Sequence, residues 1–214
     1  MEKLSLKCSL DELLEGGLEK GIVTEIYGEG GTGKTNICIQ AAKACVEEGK
    51  KVVYIDTEGI SKERLLQVFK DKKMLEKILF FFPFSLKEQE EMVEKATKLD
   101  AGLIIVDSIN LFYRLEMEDE SLATRSLTKQ LVTLQITARK KKIPVLITSQ
   151  VYSVGNEVKP FAGRSMDHIA KTIIMVERNG RENGREARFA TIVKHRSIPE
   201  GKKIKFYITQ DGIE

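Results

Sequence analysis

The chain has 214 residues, of which 42% are hydrophobic and 31% charged, and its formal net charge is +3. No run approaches the roughly 20 apolar residues of a membrane span, and the N-terminus lacks the apolar segment of a secretory signal. These features exclude membrane-spanning and secreted classes and predict a cytoplasmic protein, and the mild positive charge permits an anionic partner without demanding one.

Apolar runs alternate with amphipathic stretches as far as residue 149. A short helix is predicted first, with Ser9 and Glu12 spaced as a capping box and Gly16-Gly17 as its end. The apolar runs that follow predict strands at 22–27, 51–56, 78–82, 102–107 and 144–149. The amphipathic stretches between them predict helices at 35–49, 61–70, 85–99 and about 121–141. This alternation predicts an α/β fold with a mostly parallel central sheet flanked by helices.

The pattern changes near residue 150. The stretch VYSVGNEVKPFAG (151–163) is predicted as a loop. Three later runs, at 171–178, 186–195 and 203–212, have short turns and no helices between them, which predicts an antiparallel β-meander. Because no linker or repeat interrupts the chain, we expect a single domain over 1–214.

Residues 28–35, GEGGTGKT, follow a predicted strand, open a predicted helix and match the phosphate-loop pattern Gly-x4-Gly-Lys-Thr. Glycines let backbone N–H groups curl around phosphate oxygens, and the helix N-terminus adds a partial positive charge. Lys34 would reach the β- and γ-phosphates, and the Thr35 hydroxyl would ligate Mg²⁺. The alternative is a tight turn without a ligand, which the strand–loop–helix context disfavours. The pattern therefore predicts ATP and Mg²⁺ as cofactors. The predicted nucleotide contacts are Gly28, Glu29, Gly30, Gly31, Thr32, Gly33, Lys34, Thr35 and Asn36.

Two carboxylates follow predicted strands. Asp107 ends the run LIIVD, where it could hold Mg²⁺ opposite Thr35, or else cap the next segment. Glu58 comes just after the strand ending YID, at the edge where open α/β sheets bind ligands. Glu58 could orient an attacking water as a general base, or place charge at the helix that starts near Ser61. The residues alone leave both alternatives open.

Several segments resemble the ATPase core of RecA-type recombinases, in order and spacing, and the archaeal and eukaryotic branch of that family matches best. They are EIYGEGGTGKTNICIQ, VVYIDTEGISKERL, LIIVDSINLFYR, VLITSQV, IVKHRSIPEG and ITQDGIE. The layout, which starts almost at the core without a preceding DNA-binding domain or Phe-x-x-Ala tether, is similar to a short archaeal paralogue of that family. The resemblance implies a RecA-like P-loop ATPase fold.

The resemblance also implies roles for single residues. Asp107 matches the family's Walker-B acid, Glu58 its catalytic glutamate, and Gln150 the glutamine that senses the γ-phosphate and connects to a DNA-binding loop. Without the resemblance, the favoured interpretation of Gln150 is a polar loop residue. Lys194 and Arg196 alternate on a predicted strand and would point to one face. The resemblance implies that they reach the γ-phosphate of a neighbouring subunit in a homo-oligomer, whereas the alternative is a surface strand whose charges meet nearby acids.

Two loops are the candidates for DNA contact. The first, RLEMEDES (114–121), is acidic where phosphate contacts would need Lys or Arg. The second is the loop at 151–163 with the residue that follows it. It offers two aromatics for base stacking and two cations for phosphates, although the aromatics could equally be packing residues. These four residues are Tyr152, Phe161, Lys159 and Arg164.

Two other basic segments have simpler interpretations. The run RKKK (139–142) is interpreted as a helix end, where cations complement the dipole. Four arginines around the turn NGRENG alternate with glutamates, which is typical of a solvated hairpin. They are Arg178, Arg181, Arg185 and Arg188.

The function implied is that of an ATP-binding DNA repair and recombination protein that binds single-stranded DNA, regulates or mediates recombination, and hydrolyses ATP weakly or in response to DNA. Other recombination proteins, such as a recombinase or a Holliday-junction resolvase, are the implied protein partners. Two alternatives stay open: a regulatory P-loop ATPase of the circadian-clock or helicase type, and a small-molecule kinase. The kinase would need an arginine-bearing lid, and none is recognisable in the sequence.

Overall fold

A nine-stranded sheet forms the centre of the structure, a computed structural model that describes residues 2–116, 120–154, 157–160, 168–182 and 184–214. The strands are β1 (Lys3–Leu4), β2 (Leu18–Glu19), β3 (Val23–Tyr27), β4 (Val52–Asp56), β5 (Ile78–Phe81), β6 (Leu103–Asp107), β7 (Val145–Ser149), β8 (Val151–Val154), β9 (Glu157–Pro160), β10 (Thr172–Glu182), β11 (Arg185–Lys194), β12 (Lys203–Thr209) and β13 (Gly212–Ile213). The helices are α1 (Leu10–Leu13), α2 (Lys34–Glu47), α3 (Lys62–Val68), α4 (Lys72–Leu75), α5 (Leu86–Lys98), α6 (Leu111–Leu115) and α7 (Glu120–Lys141).

The order of strands in the main sheet is β13-β12-β11-β10-β3-β7-β6-β4-β5. The six strands from β10 to β5 are parallel, and β11, β12 and β13 continue the sheet antiparallel. The predicted α/β fold and its C-terminal meander are therefore confirmed. The meander is not a separate sheet, because β10 pairs with β3 directly before the phosphate loop.

Two hydrophobic cores lie on opposite faces of the sheet. Strands β3, β4, β6 and β7 are buried along their whole length, as expected for parallel strands covered on both faces. Alternation along β4 divides its side chains, so that Val52 and Tyr54 join the core under α2 while Val53 and Ile55 join the core under α5 and α7. The two cores on opposite faces hold the carboxyl ends of these strands in place at one edge of the sheet.

The predicted capping box at Ser9 is wrong. Ser9 has helical backbone angles and makes no side-chain cap, whereas a capping residue needs an extended backbone. The local backbone is held instead by the Asp11 carboxylate, which accepts hydrogen bonds from the Leu6 and Lys7 amides at 2.7 and 2.9 Å. Side-chain caps are present at Ser61 and Ser85, where α3 and α5 begin, and each serine oxygen accepts the amide three residues later.

The other differences between predicted and observed elements are short helices and strands, which are too short to show a periodic pattern of apolar residues in the sequence. The predicted loop at 151–163 contains the strand pair β8–β9, an antiparallel ribbon in which Tyr152 lies opposite Lys159. Helices α4 and α6 and the pair β1–β2 are not predicted. No helix in the described part of the chain has the length and apolar character needed to cross a membrane.

Candidate nucleotide-binding site

The candidate site lies where four adjacent parallel strands end. Strand β3 pairs in register with β7, and β4 with β6, so that Tyr27 lies beside Ser149 and Asp56 beside Asp107. The segments that leave these ends begin with Gly28, Thr57, Ser108 and Gln150. Side chains far apart in sequence therefore meet at one edge, as is usual for ligand sites of open α/β sheets.

The phosphate loop requires glycine for space as well as for conformation. A Cβ on Gly28 would lie 2.2 Å from the carbonyl oxygen of Val176, and one on Gly33 would lie 2.7 Å from Cδ1 of Ile208. Gly33 also has φ of 111°, a left-handed conformation that glycine adopts without strain. The loop is therefore pressed closely against β10 and β12.

The Lys34 side chain is buried inside this loop. Its Nζ donates to the carbonyl oxygens of Gly28 at 2.7 Å and Glu29 at 2.9 Å. Burial lowers the pKa of Lys34, while the charges of Glu58 and Asp107 act in the opposite direction. The ammonium group is thus enclosed by the loop and close to both candidate carboxylates.

Asp107 lies at the end of β6 with only 2% of its surface exposed. Its carboxylate accepts hydrogen bonds from the Tyr54 hydroxyl at 2.8 Å and the Thr148 hydroxyl at 2.5 Å. Burial raises the pKa of Asp107, and hydrogen bonds from Thr148, Tyr54 and Thr35 partly offset that rise. The contact with Thr35 joins the two predicted magnesium ligands, and a hydroxyl with a carboxylate oxygen is a donor set that suits Mg²⁺.

Glu58 is exposed, and a neighbouring side chain that sequence reasoning missed fixes its backbone. The buried Asp56 carboxylate accepts the amide hydrogens of Glu58, Gly59 and Ile60 at 3.2, 2.9 and 2.6 Å. The Asp-Thr-Glu-Gly order could have signalled this turn, because Asp often bonds the backbone two residues on. Helix α3 is capped by Ser61, so that Glu58 stands outside the helix.

Replacing Asp56 with Ala is expected to lower the free energy of unfolding by about 2 kcal/mol, since three amides lose a charged acceptor near the surface. It should also slow ATP hydrolysis through a misplaced Glu58 while ATP still binds. Thermal unfolding and phosphate release measure the two effects. Asp71→Ala is the matched control, because the Asp71 carboxylate accepts the single amide of Lys73 at the start of α4 among the described residues. Equal effects of both variants on hydrolysis would refute the role of Asp56.

Gln150 bridges the site from the end of β7. Its Nε2 donates to Oε1 of Glu58 at 2.7 Å, and its Oε1 accepts from the guanidinium of Arg114. The buried Asn110 holds the Gln150 backbone from both sides, accepting from its N–H at 2.8 Å and donating to its carbonyl at 2.9 Å. Neither Asn110 nor Arg114 was selected from the sequence, because neither belongs to a recognisable nucleotide motif.

Part of the phosphate loop lines one cavity of about 370 Å³ together with Glu58, Arg114 and Gln150. Its lining residues are Gly28, Glu29, Gly30, Lys34, Glu58, Arg114, Gln150, Val151 and Tyr152. The predicted phosphate loop, general base and sensor therefore share one space, and Tyr152 of β8 opens onto it.

Lys194 and Arg196 lie elsewhere. Strand β11 ends at Lys194, so the prediction that both residues alternate on a strand is wrong for Arg196, which follows it in a bend. The Arg196 guanidinium pairs with the buried Glu19 at 2.8 Å, and Lys194 donates to the Ala170 carbonyl at 3.1 Å. Acids and carbonyls of the same chain thus contact these cations, which is the alternative to a role in a neighbouring subunit.

The predicted DNA contacts are only partly covered by the structure. Tyr152 is exposed on β8, and the backbone of Lys159 lies opposite it on β9. Phe161 and Arg164 lie outside the described residues.

Two arginines interpreted as part of a solvated hairpin instead contact the phosphate loop. The Arg178 guanidinium donates to the carbonyls of Gly31 at 3.2 Å and Gly30 at 3.4 Å. Arg188 is nearly buried beside Gly33 and pairs with Glu186 at 2.7 Å. The interpretation as a solvated side chain is wrong for the nearly buried Arg188. Arg178 is exposed and lies 3.8 Å from Glu186, as expected for a solvated hairpin, but its contact with the loop was not predicted, because sequence spacing gives no sign that β10 packs on the loop.

Comparison with protein-family models matches residues 5–214 to the Rad51 family. A DNA repair and recombination protein RadB from Methanococcoides burtonii is 46% identical, covering 99% of this chain and 97% of that protein. The protein of the same name from Archaeoglobus fulgidus is 42% identical, covering 97% and 95%. A crystal structure of the RadB recombinase superposes with a TM-score of 0.85 at 34% identity, covering 98% of each chain.

Proposed function

The chain belongs to the Rad51 family, alongside the archaeal RadB proteins, and from that premise we propose that it is an ATP-binding protein of DNA repair and homologous recombination. In this proposal it binds single-stranded DNA, acts with other recombination proteins, and hydrolyses ATP slowly unless DNA is bound. The observation that supports it most is the bond from Gln150 to Glu58, which connects the candidate base to the ribbon β8–β9.

The phosphate loop would bind the nucleotide through residues 28–36. Lys34 would exchange its bonds to the Gly28 and Glu29 carbonyls for bonds to phosphate oxygens, with little movement because it already lies within the loop. Thr35 and Asp107 would hold Mg²⁺, which, when bound, neutralises charge on the phosphates. The tightly packed loop presents its donors in fixed positions, which favours electrostatic stabilisation of the transferring phosphoryl group.

Glu58 would accept the proton of a water that attacks the γ-phosphorus, with ADP as the leaving group. Its exposed carboxylate points into the same cavity as Lys34. The turn formed by Asp56 keeps this carboxylate in place without contributing to the chemistry.

Gln150 would report the state of the nucleotide to the DNA-binding ribbon. Its amide contacts Glu58 on one side and Arg114 on the other, and Val151 follows it directly as the first residue of β8. When the γ-phosphate leaves, a neutral amide can change partners and shift the start of β8. DNA on the ribbon would act on Glu58 through the same bond in reverse.

Steady-state phosphate release with and without single-stranded DNA tests the proposal. We expect DNA to raise the rate in the wild type, and Gln150→Ala to lose most of this response while it still binds ATP. The matched control is Gln135→Ala on α7, which should respond to DNA as the wild type does. A wild type that binds no ATP would refute the function, and a Gln150→Ala variant that responds normally would refute the coupling.

A homo-oligomer with trans-acting Lys194 and Arg196 stays a prediction. It would require Arg196 to leave Glu19, whose carboxylate is 3% exposed and would then be buried beside the imidazole of His195 without that cation. That rearrangement is costly, because a buried carboxylate that loses its partner is strongly destabilised.

A further inference from the structure

Six lysines gather at the edge of the sheet opposite the nucleotide site. They line a cleft of about 700 Å³ where β3, β4, β6 and β7 begin, and we call them the basal lysine cluster. They are Lys20, Lys50, Lys51, Lys98, Lys141 and Lys142.

The charge of this cleft is poorly balanced, although the chain has 32 acidic residues. Among the residues that the structure describes, Asp100 is the only acid that lines the cleft. Lys20 pairs with Glu2 at 3.0 Å and Lys50 with Glu48 at 2.6 Å. Within the ranges that the structure describes, the other four lysines of the cluster have no carboxylate at salt-bridge distance. Like charges that line one cleft repel one another, and an anion bound in the cleft would relieve that repulsion.

Helix dipoles explain only part of the cluster. Lys98 lies in the last turn of α5 and Lys141 in the last turn of α7, where cations complement the helix end. Lys20 also lies outside any helix, but its pair with Glu2 explains it locally. Lys51 lies directly before β4, outside any helix and without a salt-bridge partner among the described residues, so its presence in the same cleft points to a ligand.

The geometry points to a DNA backbone as that ligand, and we propose that the basal lysine cluster binds the phosphates of duplex DNA without reading its sequence. The order β3-β7-β6-β4 places the lysines across three strand spacings, about 14 Å, and along 14 Å of the axis of a duplex one DNA strand carries about four phosphates. In the described part of the chain no aromatic side chain lines the cleft, so these residues offer bases nothing to stack on. This site differs from the ribbon β8–β9, which the proposed function assigns to single strands.

Replacing four lysines of the cluster with Gln tests the proposal in the full chain. The variant combines Lys51→Gln, Lys98→Gln, Lys141→Gln and Lys142→Gln. We expect its affinity for a random-sequence duplex to fall about tenfold or more at 50 mM salt, and the slope of log affinity against log salt to become shallower by about 3. Fluorescence anisotropy with labelled duplex, without nucleotide, gives both quantities.

A control of equal charge change separates site binding from net charge. It combines Lys62→Gln, Lys72→Gln, Lys73→Gln and Lys87→Gln, four exposed lysines away from the cleft. We expect this control to change duplex affinity less than twofold, and both variants to keep the wild-type melting temperature and ATP binding.

Three outcomes would overturn the proposal: no duplex binding by the wild type, equal losses in both variants, or a cluster variant that loses only binding to vesicles of anionic lipid. Failure of the proposed function is distinguishable, since it would show as absent ATP binding or absent single-strand response with duplex binding intact.

Discussion

Lys34→Ala is expected to reduce ATP hydrolysis by about a hundredfold to a thousandfold, the usual cost of removing a preorganised charge from the transferring phosphoryl group. The Lys34 ammonium is buried in the loop and surrounded by carbonyls and carboxylates, so that a cation from solvent cannot easily take its place. Alanine leaves the loop glycines and their backbone N–H groups unchanged. ATP binding should weaken less than hydrolysis, because the backbone donors remain.

Phosphate release and equilibrium ATP binding separate these two effects, and circular dichroism checks the fold. Lys43→Ala is the matched control on the same helix, since Lys43 is half-buried and donates to the Asp211 carbonyl, away from the phosphate loop. Hydrolysis at the wild-type rate by the Lys34 variant would place the phosphate site elsewhere.

Glu58→Gln is expected to preserve ATP binding and to lower hydrolysis by about a hundredfold or more, as for loss of a general base. The substitution is nearly isosteric, and the carbonyl oxygen of the new amide can still accept the hydrogen bond from Gln150. Geometry is therefore retained, and only the ability to take a proton is removed. Single-turnover hydrolysis, with binding measured in parallel, isolates the chemical step.

Glu63→Gln is the control for this substitution, because Glu63 is an exposed glutamate whose carboxylate accepts from the Ser61 hydroxyl. It should hydrolyse ATP as the wild type does. A Glu58 variant with normal turnover per bound ATP would show that Glu58 is not the base, and would leave charge placement beside α3 as its role.

The sequence predicts most of the main sheet because its signals are local and strong. Buried parallel strands appear as continuous apolar runs, so that Asp107 and Glu58 could be placed at strand ends without coordinates. Parallel pairing then brings those strand ends to one edge of the sheet, and the alternation of strands and helices along the chain already implies parallel pairing.

The features that the sequence does not predict depend mostly on contacts between segments that are distant in the chain. Arg178 lies far from Gly31 in sequence, and only the pairing of β10 with β3 brings them together. Ser9 is a case in which the local pattern misleads. Its spacing to Glu12 matches a capping box, but the Asp11 carboxylate holds this turn by accepting the Leu6 and Lys7 amides. The ribbon β8–β9 is too short for alternation to identify it.

The place of β3 in the strand order has a consequence for synthesis on the ribosome. Strand β3, which leads into the phosphate loop, is the fifth of nine strands, and its neighbour β10 starts only at Thr172. A nascent chain that ends before that residue therefore carries β3 as an open edge, a surface that invites pairing with other chains. The side of the loop formed by Val176 and Ile208 is also missing until the last strands emerge. Nucleotide can therefore stabilise the fold only after translation is nearly complete. Until then, the exposed edge of β3 depends on chaperones or on rapid elongation for protection from aggregation.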